Sequence, residues 1–374
     1  MKKLFIITGE ASGDRHAAEV VKKIREADAD IQIEAIGGKY LNDLGVKLFS
    51  DHSKGKMSAM GLDFKILFEH ITLGKRVVNY LKDEYKPDLV LMIDYGGFNL
   101  NLSKFLKKED IKIFYYIPPQ IWASRKWRIK TVKQNIEKVM TIFPFEKDMY
   151  EKEGISAEYV GHPLISQLPP KADRNQFFEK YNLDKSKKLV SIFPGSRTFE
   201  IKNLLNTFLK AGELIKKEVT DVQFVISQAP NINDKTFNKF LNDYPIQVIK
   251  GDNQALLSVS DALILASGTV ALEAALYQTP MIISYKGPWI AYFIYKLVRC
   301  IDKVSLPNII LNEEIVPELI QADSNPQTIA KFILKFLKDK NHCDLIKEKL
   351  SLVKNQLSQE ESSKKVAEII VNNI

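Results

Sequence analysis

Twice along this chain a strand-like apolar run ends in a turn of small residues and passes directly into a helical stretch. The first is Leu4 to Thr8 before Gly9-Glu10-Ala11-Ser12-Gly13, and the second is Leu189 to Phe193 before Pro194-Gly195-Ser196-Arg197. Such a junction opens a βαβ unit, and it commits the residues that follow to a parallel sheet covered by helices. The sequence keeps that alternation in both halves. A helix to about Arg25 precedes a strand over Ile31 to Ile36. Helices over about Phe64 to Lys82 and Leu100 to Lys107 then alternate with strands over Leu89 to Ile93, Ile111 to Tyr116 and Val139 to Phe143. After a cluster of breakers from Gly161-His162-Pro163 to Pro169-Pro170 the pattern restarts, with further strands at Gln223 to Ile226, Gln247 to Ile249, Ala262 to Leu265 and Met281 to Ile283.

At about 150 residues per domain, 374 residues make two domains. The expected division is an N-terminal Rossmann-like domain over 1–165, a C-terminal one over 166–340, and helices over 341–374 that pack back on the first domain or on a partner subunit. No short repeat period is present, which excludes a solenoid. The charge balance of 54 basic against 46 acidic residues makes acidic partners plausible without choosing between nucleic acid, anionic lipid and a phosphorylated substrate. The two cysteines, Cys300 and Cys343, form no metal-binding spacing, and a reducing compartment suits them. The apolar run at the N-terminus breaks at Thr8-Gly9-Glu10, too early for a signal peptide, and no window reaches the roughly 20 apolar residues that cross a bilayer.

Ser12 and Gly13 fall where a strand C-terminus meets a helix N-terminus, a position suited to an anion or a sugar oxygen. The absence of GxGxxG disfavours NAD, and the same residues serve equally well as turn and cap, with Asp14 as a second cap candidate. Asp94 ends the strand Leu89 to Ile93 at the sheet edge where open α/β sheets place ligands, and can act as a general base or as a helix cap. Between Trp122 and Lys138, six basic residues including Arg125 and Arg128 accompany Glu137 alone. Interleaved with aromatics, they fit a phosphate, RNA, a lipid interface or a solvated helix face. Gly195-Ser196-Arg197 can present amides and a guanidinium to a diphosphate, and Ala266-Ser267-Gly268-Thr269 with Glu273 one turn on can hold a ribose. Together they suggest a nucleotide. Two apolar stretches, Met57 to Phe68 (with Phe64, Leu67 and Phe68) and Gly287 to Lys303 (with Trp289, Tyr292, Phe293, Lys296 and Arg299), fit an interface or a buried helix. Of the five histidines only His162, at the domain junction, stands out, and no metal-ligand spacing is present.

Taken in order, Gly9-Glu10-Ala11-Ser12-Gly13-Asp14, Met60-Gly61, Asp94 with Phe98-Asn99, Pro118 with Trp122-Ala123, Gly161-His162-Pro163, Gly195-Ser196-Arg197, Ala266-Ser267-Gly268-Thr269, Glu273 and Ser305-Leu306-Pro307-Asn308 resemble the lipid-A-disaccharide synthases over nearly the whole chain. That resemblance implies a GT-B glycosyltransferase, with two doubly wound Rossmann-like domains facing a central cleft and C-terminal packing helices. It implies inverting, metal-independent transfer of 2,3-diacylglucosamine from its UDP conjugate to 2,3-diacylglucosamine 1-phosphate. The products are UDP and the β-1,6 disaccharide of lipopolysaccharide biosynthesis.

It further implies no cofactor and a peripheral enzyme on the cytoplasmic face of the inner membrane of a Gram-negative bacterium, and it leaves room for a homo-oligomer. By that resemblance Asp94, Ser12 and Arg197 are catalytic. Gly195, Ser196, Arg197, Ser267, Gly268, Thr269, Glu273 and Asn308 bind the UDP-sugar. Ser12, Gly13, Met60, Gly61, Asn99, Trp122, Arg125, Arg128 and His162 bind the acceptor. The chain departs from the family pattern at Gly96, where proline is common, and at Ser124, where a second tryptophan is common. Two rival readings are a UDP-N-acetylglucosamine 2-epimerase-like protein, which has no use for the aromatic segment at Trp289, and a basic RNA-binding or membrane-surface scaffold, which leaves Asp94, Arg197 and Glu273 without a role.

Overall fold

A computed structural model describes residues 2–52, 64–241, 244–288, 301–357 and 361–374. Met57, Met60, Gly61, Trp289, Tyr292, Phe293, Lys296, Arg299 and Cys300 lie outside the described residues, as do the side chains of Phe64 and Leu67. The chain divides into two compact units, residues 1–166 with 357–374, and residues 167–356.

The first unit is built on a seven-stranded, wholly parallel sheet of β1 (Lys3–Ile7), β2 (Gln32–Gly37), β3 (Lys47–Asp51), β4 (Leu89–Ile93), β5 (Ile113–Tyr116), β6 (Lys138–Thr141) and β7 (Ala157–Tyr159). Its spatial order is β3-β2-β1-β4-β5-β6-β7. The central strands are continuous apolar runs because helices cover both faces: every residue of Leu89–Ile93 is buried. The register pairs Leu4 with Leu89 and Ile7 with Met92, so β1 and β4 end side by side.

The second unit repeats this design with β8 (Lys188–Phe193), β9 (Val222–Gln228), β10 (Gln247–Lys250), β11 (Ala262–Ala266), β12 (Met281–Tyr285) and β13 (Glu318–Ile320). They are ordered β10-β9-β8-β11-β12-β13, again all parallel. Both orders are that of a doubly wound dinucleotide-type sheet. Each therefore has one switch point, between β1 and β4 or between β8 and β11, where the chain departs to opposite sides and leaves a crevice at the strand C-termini.

The division differs from the expected one at the C-terminus. The helix Lys340–Gln356 belongs to the second unit, and only residues 357–374 return to the first. There the helix Ser362–Val371 lays Val366, Ala367, Ile369 and Ile370 against Ala11–Ala27, whose Ala17, Val20, Val21 and Ile24 are buried. Tyr116 and Ser362 tie this helix to the sheet through hydroxyl groups 3.1 Å apart.

Candidate active site

At the first switch point Asp94 and Tyr95 follow β4 with φ of 49° and 52°, a left-handed corner that costs a non-glycine residue on the order of 1–3 kcal/mol. Three hydrogen bonds hold it. The Asp94 amide donates to the Tyr116 carbonyl (3.1 Å), while its carbonyl accepts from Asn99 Nδ2 (2.7 Å) and from the Tyr115 hydroxyl (2.7 Å). The corner sets Asp94 beside the buried Gly13, where an added Cβ would lie 4.0 Å from the Asp94 Cβ. Burial pushes its carboxyl above the usual carboxylate range, against a weaker opposing pull from the Tyr95 amide.

The neighbouring Gly9 is required by this arrangement, because a Cβ there would fall 2.1 Å from the Tyr95 ring. Tyr95 in turn places its hydroxyl 2.8 Å from His70 Nε2. Ser12 is exposed at the start of helix Ala11–Ala27, beside a buried Gly13. Asp14 does not cap that helix. It is buried and accepts from the Gly38 and Tyr40 amides (2.7 and 2.8 Å), so it orders the turn after β2.

Two expected acceptor residues serve the scaffold instead. Asn99 is fully buried and holds the Asp94 carbonyl, so it reaches a ligand only through Asp94. Trp122 is 9% exposed, with its ring edge-on to Phe143 and Phe145 and its indole N–H donating to Glu146 (2.8 Å). Glu146 also accepts from the Ile142 and Phe143 amides at 3.2 Å, and burial raises its carboxyl to about 7.

His162 is half-buried, its Nδ1 accepts from the Leu164 amide (3.1 Å), and burial, helped by His16, lowers it to about 3. It is therefore a neutral ring. Arg128 lies against the start of helix Gly96–Lys108, near where a Gly96 Cβ would come within 3.7 Å of its guanidinium. Its charge is disfavoured first by burial and then by Arg125, and among the described residues neither arginine pairs with a carboxylate. Two clustered cations without a counter-ion suit an anion. The departure at Gly96 also has a local reason: a Cβ there would fall 2.6 Å from the Pro119 ring.

At the second switch point a cavity of about 350 Å³ brings together Gly195, Ser196, Arg197, Ser267, Gly268, Thr269 and Glu273. These are seven of the eight residues expected on the donor side. Gly268 and Thr269 are exposed, and Glu273 is half-buried one turn into helix Val270–Leu276. The amides of Ser196 and Arg197, expected to meet a diphosphate directly, instead donate to Glu200 Oε2 (2.9 and 3.2 Å). Arg197 Nη1 donates to Glu200 Oε1 (3.0 Å). The loop closes this tightly because Gly195 has φ 109° and no Cβ; one would fall 2.3 Å from the Glu200 carboxylate. Glu200 thus satisfies the two amides that lead into helix Thr198–Glu218, the N-cap Arg197 among them, and fixes one edge of a guanidinium whose side chain is otherwise 65% exposed.

Asn308 does not join this cavity. It is fully buried, donates to the Val316 carbonyl and to Glu318, and accepts from the Ile315 and Val316 amides, so it anchors a turn. Ser227 and Asn253, 2.6 Å apart, line the cavity without a motif to announce them. Their signal is positional: Ser227 sits near the C-terminal end of β9, next to the switch strand β8.

Among the described residues no helix is long and apolar enough to cross a membrane. The fold is shared with structures of low sequence identity. The UDP-GlcNAc 2-epimerase of Neisseria meningitidis bound to UDP-GlcNAc superposes with a TM-score of 0.66 at 16% identity over 100% of both chains. Acinetobacter baumannii MurG gives 0.62 at 14% identity, covering 100% of both chains. The fold is therefore of the GT-B type, with two parallel-sheet α/β domains. The sequence profile of lipid-A-disaccharide synthetase matches residues 4–374. The lipid-A-disaccharide synthase of Coxiella burnetii (strain CbuG_Q212) is 35% identical over 373 residues, covering 99% of this chain and 98% of that one. That of Nitrosococcus oceani is 33% identical over 356 residues, covering 94% and 91%. With the two switch-point sites in place and this match across its length, the chain belongs to the lipid-A-disaccharide synthase family, glycosyltransferases that build the lipid A disaccharide.

Proposed function

We propose that the enzyme transfers 2,3-diacylglucosamine from its UDP conjugate to the 6-hydroxyl of 2,3-diacylglucosamine 1-phosphate, with inversion and without a divalent cation. The first unit holds the acceptor and the second the donor. The observation that carries this reading is the built corner at Asp94, where an unfavourable backbone conformation is kept so that a carboxylate stands at the switch point.

Asp94 accepts the proton of the acceptor hydroxyl as its oxygen bonds to the anomeric carbon. The bond from that carbon to the diphosphate oxygen breaks, giving the β linkage and UDP. The Arg197 guanidinium meets the negative charge that gathers on the departing diphosphate. Because Glu200 occupies the Ser196 and Arg197 amides, the guanidinium carries this task together with the exposed Gly268 and Thr269. Glu273 takes the ribose hydroxyls, Ser12 and Gly13 flank the acceptor sugar, and Arg125 with Arg128 hold its phosphate. The apolar segments, with Phe68 71% exposed, rest peripherally on the membrane where both lipid substrates reside.

The experiment is UDP release from UDP-2,3-diacylglucosamine in detergent with EDTA, with and without 2,3-diacylglucosamine 1-phosphate, followed by NMR of the product. Acceptor-dependent release and a β-configured disaccharide are expected. A folded protein that binds UDP yet releases none with this pair would discard the assignment.

A further inference from the structure

We propose that the groove between helices Phe64–Asn79 and Gly96–Lys108 seats one acyl chain of the acceptor, and that its floor at Gly74 sets the chain length the enzyme favours. The proposal rests on the acceptor reading above and specifies its lipid part. The groove has a volume of about 450 Å³ and is walled by Ile71, Val78, Phe98, Leu102 and Phe105. Its polar residues, Lys75, Asn79 and Asn101, are exposed and stand at the rim. An apolar trough with a few polar groups at its lip is the usual form of a site for a small apolar ligand.

Three observations choose the acyl chain of a sugar substrate as the occupant. The groove lies next to the Asp94 corner: its lining includes Gly97, three positions after Asp94, and His70, which meets the Tyr95 hydroxyl at 2.8 Å. A sugar held at Asp94 therefore has an apolar groove within a few residues of it. From His70 to Asn79 that channel runs for about 14 Å, nine residues at 1.5 Å each, the scale of a single hydrocarbon chain rather than of a protein element. Finally, two apolar side chains of its walls stand open to solvent, Ile71 at 50% and Phe105 at 55% exposed, with Phe68 at 71% three positions before Ile71 on the same helix.

Gly74 makes the floor. A Cβ at this position would touch only Leu102 Cδ1, at an ordinary 3.9 Å. The backbone therefore accepts a side chain there, which would fill the groove instead of breaking the helix contact, and replacing a mid-helix glycine favours the helix. Gly74→Leu is thus a folded protein with a shortened channel.

The test is kcat/KM against a series of 2,3-diacylglucosamine 1-phosphates of decreasing chain length, for the wild type and Gly74→Leu. In the wild type each methylene removed lowers kcat/KM by roughly three- to fourfold while the chain still fills the groove. Gly74→Leu loses tenfold or more on the longest acceptor and little on the shortest, which narrows the preference for long chains. A uniform loss across the series, or an unchanged preference, overturns the proposal. So does a variant whose only defect is weaker binding to vesicles of anionic phospholipid, because the groove is then a membrane foot. Should the wild type turn over no acylated glucosamine pair, the functional reading has failed, and the groove is judged by binding alone. Decyl glucoside below its micelle concentration, followed by NMR of the wild type, then shifts groove residues and loses that effect in Gly74→Leu if the groove takes an alkyl chain. Equal binding by both proteins overturns it.

Discussion

At the scale of the residue, Asp94 and Arg197 are each held in place by a buried neighbour. Glu200 is the clearest case, since it takes the two amides that a nucleotide-binding turn offers and pins one edge of Arg197. If its task is to aim that guanidinium, Glu200→Ala raises donor KM by roughly tenfold or more, leaves acceptor KM nearly unchanged and costs about 1–2 kcal/mol through the uncapped helix. Calorimetry with UDP checks this, and tighter UDP binding by the variant would instead mean that the carboxylate competes with the diphosphate.

The same scale shows where residue type misleads. Asn99 and Asn308 sit inside motifs that carry function, yet both spend their amides on backbone groups in the protein interior. A sequence gives the residue and its spacing but not which side of the strand edge the side chain faces. Gly195, Ser196, Arg197, Ser267, Gly268, Thr269 and Glu273 were readable because the chemistry there depends on the turn itself, a strand end followed by small residues.

At the scale of the element, the helix Pro144–Lys152 begins with a buried carboxyl, Glu146, that ties the Trp122 loop to the end of β6. Its folded-state value of about 7 lies above the ordinary 4.5. The folded chain therefore holds this proton more tightly than the unfolded one, and that contribution to stability is complete below about 4.5 and lost as pH rises through about 7. Urea unfolding between pH 4.5 and 8 should show a decline of order 2–3 kcal/mol that disappears in Glu146→Leu. The variant itself is destabilised by the orphaned Trp122, Ile142 and Phe143 N–H groups. A pH slope identical in the two proteins would contradict this account.

Element by element, the interior strands were readable as unbroken apolar runs, because a parallel strand covered on both faces has no polar side. The strands β3, β7 and β13 were not. They run at or beside sheet edges, β7 and β13 have three residues each, and Lys47–Asp51 and Ala157–Tyr159 contain no fully buried side chain, so no periodicity marks them.

At the scale of the molecule, the same strand order appears twice, and each copy brings its own switch-point site. A ligand confined to one unit should act on that unit. UDP at a hundredfold over its Kd stabilises residues 167–356 by about 2.7 kcal/mol, and hydrogen exchange should slow in β8, β9 and β11 while β1 and β4 are unchanged. Equal protection of both sheets would show that nucleotide binding is not confined to the second unit.

On the proposed mechanism Asp94 removes the acceptor proton while the second unit independently holds the donor. The most direct measurement is the kinetics of Asp94→Asn beside the wild type, over pH, with UDP affinity measured on the same samples. The account predicts kcat lower by about 10²–10⁴ with UDP affinity unchanged. It also predicts that the acidic limb of the wild-type kcat/KM profile, set above the ordinary carboxylate range by the burial of Asp94, is missing from the variant. A variant that keeps wild-type kcat and the same acidic limb would contradict it.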